Sequence, residues 1–92
     1  MKVYSITTPE TLERSADVTK WASNKAKVLN YTACWKEQLR ADPDNQLPPV
    51  TLEIGRQAQL FRNDLGKKTL LATMYVKGAR QFVVDEGLVE TR

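Results

Sequence analysis

The sequence predicts an α+β domain. One long amphipathic helix, with or without a short helix before it, packs on an antiparallel β-sheet of three to five strands. Three observations lead there. Apolar residues recur at helical spacing from Val18 to Leu39. From Val50 the period changes to two. Between them, Arg40 to Pro49 holds Pro43, Pro48 and Pro49 among Asp and Asn residues, which end helices and favour turns.

The first element is a strand at Lys2 to Thr7, where Val3 and Ser5 alternate with Tyr4 and Ile6. It adds to the sheet at an edge. Thr7, Pro9 and Glu10 then form a helix start. Thr7 caps with its hydroxyl, Glu10 returns the bond, and Pro9 has no amide hydrogen to leave unpaired. A second start stands at Asp17, so the region is either one bent helix or a short helix followed by a long one. Along Val18–Leu39, Trp21, Val28, Trp35 and Leu39 fall on one edge of an apolar arc. Val18 and Leu29 lie at its middle, and Ala22, Ala26 and Ala33 on the other edge. At ~1.5 Å per residue this helix is about 30 Å long.

In the second half, Val50, Leu52 and Ile54 alternate with Thr51 and Glu53, and Leu70, Ala72, Met74 and Val76 with Leu71, Thr73, Tyr75 and Lys77. Phe82 and Val84 suggest a third run. Asn63–Gly66, Lys77–Gly78 and Asp85–Gly87 are turn signals. Gly55 to Arg62 is either another strand or a short helix.

At 92 residues the chain is a single domain, 1–92. Such a chain buries roughly 60–70% of its unfolded surface, enough for one modest core. With 41% hydrophobic and 27% charged residues it has the composition of a folded protein. The net charge is +3, the wrong sign for an acidic mimic of DNA. The single cysteine, Cys34, allows no internal disulfide, and no apolar run approaches the ~20 residues of a membrane span. The start has no long apolar stretch of a signal peptide, so the expected location is cytoplasmic.

Catalytic signatures are missing from the sequence. It has no histidine, the commonest general base and zinc ligand. It has no phosphate-binding glycine loop, zinc spacing or nucleophile elbow. No enzyme activity, cofactor, metal or small-molecule substrate is expected. Asp42 and Asp44 sit in a turn where aspartate serves local bonding. Cys34 is expected to be a small, half-buried residue.

The surface carries more information. Lys20 to Lys36 holds four lysines, two tryptophans, a tyrosine and no acid. Its polar face presents Lys20, Asn24, Lys27 and Tyr31. Lys25 and Lys36 lie within the apolar arc, with stems on the core edge and ammonium groups in water. The helix thereby forgoes the Glu–Lys pairs that support an isolated helix. A second basic region follows. Arg56, Arg62, Lys67, Lys68, Lys77 and Arg80 face one acid, Asp64, between Ile54 and Val84. Lys67, Lys68 and Lys77 are placed at hairpin ends. A solvated lysine face and edge-protecting lysines are the plainer account of these cations. Contact with a phosphate backbone or an acidic groove is the functional one. Trp21 and Trp35 are expected in the core or a partial interface rather than as a stacking platform.

In its layout the chain resembles small phage-encoded anti-CRISPR proteins that act on a type I CRISPR surveillance complex. The likeness lies in a compact chain without catalytic motifs, with a basic helix in KWASNKAKVLNYTACWK and a basic set from Gly55 to Arg80. These inhibitors share no motif or fold, so no residue roles carry over, and many are acidic where this chain is basic. The resemblance implies an inhibitor in the bacterial host cytoplasm. It would bind the multi-subunit ribonucleoprotein, through protein subunits or guide RNA, and block target DNA. The alternative is a free-standing nucleic-acid-binding regulator.

Overall fold

The computed structural model describes residues 1–44 and 49–91. Five strands form one antiparallel sheet, and all three α-helices lie on one of its faces. The strands are β1 (Lys2–Ile6), β2 (Val50–Ile54), β3 (Ala58–Asp64), β4 (Lys67–Met74) and β5 (Glu90–Thr91). Their order across the sheet is β4-β3-β2-β1-β5. The α+β class holds, with the ambiguous stretch after Gly55 resolved as β3. The first strand is not at an edge: β5 pairs outside it, Val3 opposite Thr91.

The period-two pattern sets the core. Tyr4, Leu52, Leu60 and Ala72 stand in one cross-strand row and face the helices. Leu52, Leu60 and Ala72 are fully buried. The next row on the other face is Val3, Glu53, Gln59 and Thr73, which no helix covers. A register shift between Leu60 and Phe61 leaves Leu71 outside the pairing, yet its side chain is buried.

Helix α1 (Pro9–Ser15) begins one residue later than expected. Thr8, not Thr7, is the cap, its hydroxyl accepting from the Thr11 N–H at 3.3 Å, with Pro9 opening the helix. A 3-10 turn, Ala16–Val18, follows, then an extended step through Thr19–Trp21, then α2 (Ala22–Ala41). The helical region is thus a short helix followed by a long one, and the long one starts at Ala22 rather than Val18.

That shift rotates the apolar face. Val28, Thr32 and Trp35 are buried, with Tyr31 and Leu39 packed beside them. Leu29, Ala22, Ala26 and Ala33, expected on the arc, are exposed. Thr32 is polar and lies on this inward face. Its hydroxyl donates to the Val28 carbonyl at 2.9 Å, so it enters the core satisfied. Helix α2 ends before the Asp42–Pro43 step, where the residue preceding proline is driven to extended backbone. Of the expected loop, residues 45–48 fall outside the described residues.

The stretch expected to form a third strand at Phe82 and Val84 is helix α3 (Val76–Glu86). Val76, Ala79, Phe82 and Val83 recur at helical spacing and pack on the core. Lys77–Gly78, expected as a turn, lies in its first turn. The Asp85–Gly87 signal marks its end. Gly87 has φ +62°, and the N–H of Leu88 reaches the Val83 carbonyl at 3.1 Å, closing the helix. No helix among the described residues is long and apolar enough to cross a membrane.

Candidate functional site

The cations divide into those held by carboxylates of the fold and those left facing water. Lys25 approaches Asp17 at 3.4 Å and Lys36 approaches Glu13 at 2.8 Å. The acids that pair with these two lysines are therefore supplied by α1 and the 3-10 turn across the seam. Arg14 extends the same seam to α3 with a two-pronged bond to Glu86, at 2.8 and 2.7 Å. Those bonds hold the Glu86 carboxyl below its ordinary range and raise the Arg14 guanidinium. Lys68 reaches Glu53 at 2.6 Å on the open sheet face and lies over the Phe61 ring. Arg62 Nε sits 2.6 Å from Asp64 Oδ2, a charge contact without hydrogen-bond alignment, and its guanidinium lies over the Tyr31 ring at 5.3 Å.

Two residues expected on the outer face of α2 turn partly inward. Tyr31 is half-buried, edge-on to Trp35 at 6.3 Å between ring centres, and burial raises its phenol above the usual range while Arg62 opposes the shift. Asn24 is half-buried as well. Lys27 is exposed but donates to the Leu70 carbonyl at 2.7 Å, tying α2 to β4.

Lys20, Arg56, Lys67, Lys77 and Arg80 remain. All are exposed, and among the described residues none has a carboxylate within 4.0 Å. Lys67 stands at the β3–β4 hairpin, on the tight turn formed by Leu65 and Gly66 at φ +46° and +82°. The other four gather toward the opposite end of the sheet. There one row of paired residues runs Lys2, Ile54, Ala58, Met74. The row continues to Thr19, which bridges to Met74 outside β4. The segments that meet at this end are 1–2, 19–20, 54–58 and 74–80. They carry Lys2, Lys20, Arg56, Lys77 and Arg80 and not one acid. Lys77 reaches this end from a helix rather than a hairpin, because α3 starts directly above β4.

A groove of about 490 Å³ opens here between β1, β2 and α3. Ile54, Val83, Val84 and Tyr4 form its walls, and Lys2 and Arg80 stand on its rim. Neither Lys2 nor Tyr4 was singled out from the sequence. Their alternation placed them in a strand, but only the pairing of β1 with β2 puts them beside Arg80.

Two large aromatic residues are exposed beside the same end. Trp21 is 51% exposed and Tyr75 60%. Trp35, 7% exposed, is the core residue it was expected to be; Trp21 is not. It precedes the first turn of α2 with extended backbone, so the helical arc never includes it. The Lys20 N–H bonds the Thr73 carbonyl at 3.0 Å, which pins this step against β4, and the Lys20 ammonium lies 4.8 Å from the centre of the Trp21 ring.

Among the described residues no group of three His, Cys, Asp or Glu side chains is placed to hold a metal ion. Cys34 is exposed rather than half-buried, and its sulfur accepts from Gln38 Nε2 at 3.5 Å. The arrangement offers charge, aromatic surface and a shallow groove. No protein-family model matches the chain, and comparisons with curated proteins and with solved structures find no match.

Proposed function

We propose that this protein is a non-catalytic inhibitor that docks its basic end on an anionic macromolecule, an RNA-guided type I CRISPR surveillance complex, and blocks its access to target DNA. One observation supports this reading above the others. Lys2, Arg56, Lys77 and Arg80 converge at one end of the sheet from segments without a single acid, while the seam cations are neutralised within the fold. Exposed cations without a carboxylate partner steer anionic partners and disfavour basic ones. The resemblance to small phage inhibitors supplies the partner.

The test is competition. Purified surveillance complex is loaded with labelled target DNA in the presence of this protein or its Arg56→Glu/Arg80→Glu variant. Displacement of the DNA by the native chain, lost in the variant, is the expected result. Failure of the native chain to bind the complex at any tested concentration sinks the reading.

A further inference from the structure

We infer that the basic end carries a single-strand nucleic-acid site, in which bases stack on Trp21 and Tyr75 and phosphates lie along Lys20, Lys77 and Arg56. This deepens the docking reading and rests on it. A charged end alone recognises any polyanion. What it leaves unexplained is why a small domain keeps two large aromatic side chains more than half exposed beside it.

The backbone places them. The bridge between Thr19 and Met74 runs antiparallel, with Trp21 two residues beyond Thr19 and Tyr75 one beyond Met74. Their positions are thus offset by about 10 Å along the strand direction, at ~3.3 Å per residue. Each has a cation close in sequence: Lys20 lies against the Trp21 ring, and Lys77 is two residues past Tyr75. Exposed aromatic rings with cations beside them are what single strands use. Every base offers a π-face, and the phosphates follow the positive charge. Duplex nucleic acid keeps its bases stacked on one another and cannot use the rings.

Charge alone fits an acidic protein groove as well as a nucleic acid. Two exposed rings, each with a cation close by and offset by about 10 Å, favour a single strand, on which successive bases can stack. Both rings stand at the ends of secondary structure, Trp21 just before α2 and Tyr75 just before α3, so neither supports the core through its exposed surface. Their replacement is expected to leave the fold in place.

The experiment is fluorescence anisotropy of the purified protein with a labelled single-stranded RNA, the same strand as DNA, and a duplex of equal length, at two salt concentrations. Single strands are expected to bind in preference to duplex. Trp21→Ala and Tyr75→Ala are each expected to weaken single-strand binding about tenfold and leave duplex binding unchanged. Intrinsic tryptophan emission follows the same event, because Trp21 is the exposed fluorophore: added single strand quenches it, and quenching disappears in Trp21→Phe. Equal affinity for strand and duplex, or aromatic variants that bind single strands as the native chain does, overturns the inference. If that happens while Arg56→Glu/Arg80→Glu still abolishes competition on the surveillance complex, the docking reading survives and only the single-strand site falls. If the charge variant also competes normally, both fall.

Discussion

Helix α2 takes part in two regions that use the same side-chain chemistry for opposite ends. Along the seam with α1, Trp35 is buried and the lysines Lys25 and Lys36 find Asp17 and Glu13. At the basic end, Trp21 is exposed and the Lys20 ammonium lies over its ring, with no carboxylate within 4.0 Å among the described residues. Both regions lie within one sequence stretch that looks uniform. The difference comes from tertiary placement, because α1 folds back along the lower part of α2 and leaves the step before it uncovered. A lysine count therefore says little about a binding surface until the acids brought by other elements are subtracted.

The largest expected effect separates the two tryptophans. Trp35→Ala destabilises the fold by about 3–5 kcal/mol, since a buried aromatic leaves a cavity. Trp21→Ala stays within about 0.5 kcal/mol, as an exposed side chain should. Urea unfolding of both variants checks this, and equal losses would erase the contrast.

Next comes charge reversal. Arg56→Glu/Arg80→Glu is expected to weaken partner binding by about a hundredfold or more, because like charges facing one another cost several kcal/mol. Lys25→Glu/Lys36→Glu should leave binding nearly intact and lower stability instead. Titration calorimetry against the surveillance complex, beside thermal melts, reads both quantities. The reverse assignment would show that the seam is the true contact face.

Smaller still is the loss of one seam pair. Lys36→Ala is expected to reduce stability by about 0.2–1 kcal/mol, the range for partly exposed ion pairs, with most of the loss screened away in high salt. A double-mutant cycle with Glu13→Ala isolates the coupling.

The finest distinction is in pH. Glu86 titrates below its ordinary value in the folded chain because Arg14 bonds its charged form. The unfolded chain binds that proton more readily, so the pair supports the fold fully above the free carboxyl value of about 4.3. The support declines as pH falls and is gone below the lowered folded value. Arg14→Gln should flatten this part of the acid limb, seen by circular dichroism between neutral and acid pH. An unchanged acid limb would mean that the bond does not persist in solution.

How much of this was legible in the sequence follows from the range of each interaction. The strands β2 and β4 were visible because one face is buried and their alternation is local. The α+β class followed from the change of period. Helix α3 was not seen as a helix because Phe82, Val83 and Val84 favour strands by propensity. The spacing of Val76, Ala79 and Phe82 held the competing signal. Trp21 was placed in the core by extending the helical period four residues too far, across a break that no proline or glycine marks. The candidate site was legible only as a set of cations. Arg56, Lys77 and Arg80 were on that set, and so were Lys25, Lys36, Arg62 and Lys68, which the fold holds in ion pairs. Pairs such as Lys68 with Glu53 join different strands, and no single-chain pattern announces them.

The placement of β1 also has a consequence for the order of assembly. Strands β2, β3 and β4 form a meander joined by short turns, whereas β1 reaches β2 only across both helices, and Thr91 bonds Val3 over a separation of 88 residues. Closing such loops loses chain entropy before any contact compensates, so distant pairings form late and open early. The groove beside Arg80 takes Lys2 and Tyr4 from β1, the strand with the most remote partners. Native-state hydrogen exchange should therefore find the amides of Val3–Ser5 opening before those of Leu52 and Leu60. The end of the molecule that carries Lys2 and Arg80 would then be the last part to finish folding.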